Sequence, residues 1–170
     1  MGCDIHMYFE IKDHETNKWY CLIANEHANY DLPNELAKYD EDYFLRVVSQ
    51  NESSDISRIV SSFEGHKEIR TGRNYDMFSL LAGVRDYGDC APISKPRGLP
   101  EDVSEYIKYL SDRWGCDGHS HSYYTLKELN RHMDKIKKYG ESYYEKFSAI
   151  MSLCEGTPKE DIRFVFWFDN

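Results

Sequence analysis

Residues 115–125 read GCDGHSHSYYT, placing one Asp, two His, two Ser and two Tyr within eleven positions. Imidazoles, hydroxyls and a carboxylate so close together can hold a ligand by hydrogen bonds, ligate a metal or move protons. The stretch reads as a polar loop that ends at a helix start at Thr125, where unpaired N–H groups favour an anion. Asp4 and His6 share the spacing of His119 and His121. On an extended backbone, residues two apart project to the same side, so these four form a donor set suited to a divalent transition metal such as zinc or manganese. That metal would activate water in a hydrolase or phosphodiesterase. A solvated strand face and loop residues bonded to nearby backbone account for the same four without a metal.

A second constellation is cationic. In GRNYDMFSLLAG (72–83), Arg73, Asn74 and Tyr75 stand at a helix start, where the macrodipole and a guanidinium together grip a phosphate. The simpler reading is that Asn74 caps the helix and Arg73 pairs with a carboxylate. Residues 84–99 form a long irregular segment with Arg85, Tyr87, Lys95 and Arg97, and Gly88 and Gly98 let a ligand approach the backbone. Arg side chains tying that loop to the body are the alternative. Cys116, Ser120 and Ser122 lie near the two loop His, but adjacency in sequence does not build a nucleophile and its base. No Walker loop, dinucleotide fingerprint, H-E-x-x-H or G-x-S-x-G occurs.

Strands and helices must position these groups. Residues 3–11 alternate apolar and polar, the period of a half-buried strand, and 19–24 read as its hairpin partner. Residues 162–168 (IRFVFWF) are a dense run of strand formers. Helices are expected at 39–50, 54–63, 75–82, 101–112, from Thr125 to Tyr139, and at 143–154. Thr125 with Glu128, and Ser142 with Glu145, have the spacing of capping boxes. The expected architecture is a single α+β domain over residues 1–170, with a small antiparallel sheet of N-terminal hairpin plus C-terminal strand covered, mainly on one face, by several helices.

With 170 residues the chain can bury its own core. Its net charge of −9 disfavours binding duplex nucleic acid through general phosphate neutralisation. Five Cys without a C-x-x-C pair specify neither a disulfide framework nor a zinc ribbon. With no signal-like start and no run long enough for a membrane span, a cytoplasmic protein is expected.

MGCDIH at the start, GRNY, LLAGVRDY, PISKPRGLP and WGCDGHSHSYYTLKEL together resemble a family of small phage and bacterial proteins without a settled activity. The resemblance implies a phage accessory setting in the host cytoplasm and transfers no catalytic residue. Setting and residues together lead to an expected function: binding and sequestering a phosphorylated small molecule, a nucleotide-derived host-defence signal. Arg73, Arg85 and Arg97 would hold phosphates with Asn74 at the helix start, Tyr75, Tyr87 or Tyr123 would stack on a ring, and His119 and His121 would bond sugar or phosphate oxygens. Such proteins often build sites between subunits, so a homo-oligomer fits. The rival readings are the metal-dependent hydrolase above and an acidic module that inhibits a host enzyme.

Overall fold

The computed structural model describes residues 2–14, 16–21, 71–88, 90–153 and 155–170. The helices expected at 39–50 and 54–63 lie outside these residues. The rest is α+β, with strands β1 (Asp4–Asp13), β2 (Lys18–Cys21), β3 (His119–Thr125) and β4 (Ile162–Asp169). Helices α1 (Tyr75–Ala82), α2 (Glu105–Trp114), α3 (Leu126–Asn130), α4 (Met133–Tyr139) and α5 (Glu141–Leu153) complete it. The strands form one antiparallel sheet in the order β2-β1-β4-β3.

The alternation in β1 is met residue for residue by β4. Ile5, Met7, Phe9 and Ile11 stand opposite Phe168, Phe166, Phe164 and Ile162. Together they build the main core with Phe78, Leu81, Tyr124, Ile136 and Phe147 from α1, β3, α4 and α5. Burying each such side chain contributes about 1.5–3 kcal/mol. Residues Ile162 to Phe168 are all buried, so β4 shows no alternation because both of its faces are covered. On the second face Tyr8, Val165 and Trp167 pack with Ile107 and Leu110 of α2.

That second face also holds charge. Glu10 and Arg163, buried and directly opposite one another, form an ion pair. Arg163 Nη1 donates to Asp102 at 2.7 Å, Trp19 Nε1 donates to the same carboxylate at 2.9 Å, and the Arg163 guanidinium lies 3.9 Å from the Trp19 ring centre. Ser104 N–H donates to Glu10 at 3.0 Å. The network fastens the segment that leads into α2 onto the sheet, and so fixes where that helix lies. Burial pushes the Glu10 carboxyl above its usual range, opposed by Arg163 and the Ser104 N–H.

Local signals set the helix ends. Asn74 accepts from Met77 N–H at 3.0 Å, and Gly83, at φ 68°, closes α1 in the left-handed conformation. Thr125 and Glu128 form the expected capping box. Four expectations shift. Residues 115–125 are not a loop throughout, since His119–Thr125 is strand β3, paired to β4. The helix expected to start at 101 begins at Glu105, because Ser104 accepts from Ile107 N–H and caps it there. The helix expected to run on to Tyr139 is two pieces, because Arg131 and His132 N–H turn back to Glu128 and Leu129, three residues away, and tighten the chain. The last helix starts at Glu141, with Tyr144 N–H bonded to Gly140, so Ser142 and Glu145 do not mark its start.

Candidate functional site

Antiparallel pairing brings the start of β1, the end of β4 and the start of β3 to one end of the sheet. Asp4 stands opposite Asp169, and His119 opposite Phe168. On the second face β1 and β3 flank β4, so the His6 and His121 rings lie on either side of Trp167, their centres 5.5 and 5.8 Å from it. Trp114, on the last turn of α2, covers His6 at 4.3 Å and remains 37% exposed. The result is a row of flat rings built from three strands and a helix, with Trp167 buried and Trp114 partly exposed.

Polar groups rim the row. His6 Nε2 lies 3.3 Å from Asp169, and Asp4 N–H donates to the other oxygen of that carboxylate at 3.0 Å. Arg73 grips Asp4 with two parallel bonds of 2.7 and 2.8 Å, and both partners are about half exposed. Those bonds hold the Asp4 carboxyl below its usual range, against slight burial. Gly2 lies directly beneath the guanidinium, where a Cβ would collide with it. Arg85 sits 6.0 Å from the Tyr75 ring centre and reaches Asn170 at 3.5 Å. His121 Nε2 shares a 2.8 Å hydrogen bond with Ser111 Oγ of α2. Burial, then the neighbouring His119, pushes the His121 imidazole down, opposed by Asp112.

At the edge of the sheet His119 stacks on Phe168 at 6.1 Å, and its Nδ1 lies 3.0 Å from Ser120 Oγ. Ser120 has φ 53° where the β3–β4 register shifts between His119 and Ser122, as at a bulge. The bulge aims His119 and His121 toward different surroundings. Within the described structure, Trp167 Nε1 and His119 Nε2 are buried polar atoms without a hydrogen-bond partner.

The remaining expected residues are placed elsewhere or are bound locally. Arg97 donates to Glu128 at 2.9 Å and to the Tyr123 carbonyl at 3.3 Å, and lies 4.8 Å from the Tyr124 ring centre. Tyr124 pairs with Phe164, five residues back from Asp169 along β4, so Arg97 is on the order of 15 Å from the Asp4 end. Tyr123 goes with Arg97. Tyr87 is 72% exposed, and the Asn74 side chain is spent as cap and as donor to the Tyr139 carbonyl at 3.0 Å. Asp4, His6, His119 and His121 reach one end of the sheet, but among the described residues no three His, Cys, Asp or Glu side chains gather at metal-binding spacing. Asp4 faces Arg73 instead.

Sequence reasoning missed Trp114, Trp167, Ser111, Asp169 and Gly2. The apolar run Phe164–Phe168 of β4 was the available signal, since it implies a covered second face and thus a place for ring-bearing residues beside His6. Compared with family models, curated proteins and solved structures, the chain matches none. Among the described residues no helix is long and apolar enough to cross a membrane.

Proposed function

We propose that this end of the sheet binds a phosphorylated small molecule carrying a flat ring, a nucleotide derivative. The protein then acts by sequestering it as a phage-type accessory protein in the host cytoplasm. The observation that carries this reading is the juxtaposition of the Trp114, His6, Trp167 and His121 rings with the Arg73–Asp4 pair. Exposed Trp114 offers a stacking face, and the imidazoles offer hydrogen bonds to sugar or phosphate oxygens. The Arg73–Asp4 pair is exposed and therefore weakly held, so a phosphate can replace Asp4 and take the same two-pronged grip. Arg85 and Tyr75 extend the cationic and aromatic rim, while Arg97 and Tyr123 lie too far along the sheet to share one small ligand.

Calorimetry of the full chain against linear and cyclic adenine and guanine nucleotides and ADP-ribose tests this. Binding of at least one ligand is expected, with the ligand recovered chemically unchanged. Arg73→Gln and Trp114→Ala should each weaken it tenfold or more. A panel without any binding, binding indifferent to both substitutions, or conversion of the ligand would each overturn the proposal.

A further inference from the structure

A separate surface stands out on the opposite face of the sheet. Between positions 127 and 138 the chain carries five Lys and Arg against two Asp and Glu, a local excess of +3 in a protein of net charge −9. Lys127 is 3.7 Å from Glu160, and Glu128 is held by Arg97. The other four cations, Arg131, Lys135, Lys137 and Lys138, are exposed, and none has a carboxylate within ion-pair distance among the described residues. Among the described residues, four neighbouring cations thus stand without a counter-charge in a protein whose net charge is −9.

Packing partly organises these heads. Ile136 of α4 is fully buried and Met133 packs against the core, so the helix is fixed by its apolar side. Lys138 lies 4.8 Å from the Tyr139 ring centre and Lys137 lies 5.1 Å from that of Tyr144. Ammonium groups held over ring faces have less freedom to lose when a partner arrives. His132 registers the local field, since burial first, and then Lys135 and Arg131, push its imidazole down.

We propose that α4 and the turn before it form a docking surface for a short acidic segment of a partner protein. Size and charge select that partner. Seven residues of helix span about 10 Å, close to one screening length at 0.1 M salt. A short acidic peptide meets only the patch, whereas a duplex or an anionic bilayer also confronts the acidic remainder of the molecule. The patch adjoins the start of α1, where Asn74 donates to the Tyr139 carbonyl at 3.0 Å, but its four cations are not among the residues of the strand-end site.

Fluorescence anisotropy with the full chain and a labelled ten-residue Asp/Glu-rich peptide tests the surface. Binding is expected at 20 mM salt and should fall at least tenfold at 0.3 M. The pair Lys135→Glu with Lys138→Glu should weaken it at least tenfold, and the Gln versions by an intermediate factor, with circular dichroism unchanged. Lys95→Glu with Lys108→Glu changes the net charge equally at residues outside the patch, and should change binding less than twofold. Absence of peptide binding, or equal losses in the two charge-reversed pairs, overturns the proposal. So does tighter binding of a 20-base-pair duplex or phosphatidylserine vesicles, or self-association in sedimentation that the patch pair abolishes.

Discussion

His121 shows how tertiary surroundings give one imidazole a definite chemical state. It lies against Trp167, shares a hydrogen bond with Ser111 and has its protonated form disfavoured by burial and by His119. Its folded pKa is therefore below the unfolded value of about 6.5. Below that value the unfolded chain binds the proton more readily, so stability is complete above it and is lost as pH falls toward and through the lowered folded value. His132 shifts in the same direction and adds to the slope. Urea midpoints at pH 7.5 and pH 5.5 should show a smaller loss in His121→Gln, which keeps a hydrogen-bonding group for Ser111, than in the parent. An equal loss would show that His121 does not titrate differently on folding. Gly2 poses a matching question at the rim. Gly2→Ala should leave the unfolding midpoint nearly unchanged yet weaken nucleotide binding in the calorimetric panel, because a methyl group displaces only the mobile tip of Arg73.

Among the elements, the α4–α5 junction is the most sterically exacting. A Cβ on Gly140 would meet the Met77 side chain of α1, including Sδ at 2.7 Å, and Tyr143 at 3.3 Å. Its φ of −157° suits any residue, so close approach and not backbone conformation requires glycine here. Gly140→Ala should destabilise by about 1–3 kcal/mol through overpacking, measured by chemical denaturation. A change near zero would mean that Met77 can move aside freely. The same junction explains a departure from the expected last helix. Its start is set by the Gly140 carbonyl and the room beside Met77, neither of which is visible in the Ser142 and Glu145 spacing.

For the molecule as a whole, two covered faces mean that α2 must be locked in register with the sheet, and the Glu10–Arg163–Asp102 network does this. Arg163→Met leaves Glu10 buried without its counter-charge and should cost about 3–5 kcal/mol, whereas Glu10→Gln with Arg163→Met should recover much of that loss. Denaturation of the singles and the double measures the coupling, and simple additivity would argue against the network. Hydrophobic period in β1, a dense run of strand formers in β4, and caps and a glycine stop at α1 and Thr125 were legible from sequence, because these depend on neighbours a few residues away. The expectation that β1 and β4 share one antiparallel sheet holds, and the Asn74 cap was readable as a cap. His119–Thr125 was not readable as a strand, since its polar residues lack a strand's alternation and its state comes from pairing with β4 across the fold. The distribution of the cations was likewise hidden, for the positions of Arg73 and Arg97 follow from strand order. What the amino-acid order determined alone was therefore local backbone preference and the sides that must be buried. Tertiary structure decided which polar residues meet, because antiparallel register brings Asp4 beside Asp169 and His6 beside Trp167 across a 170-residue chain.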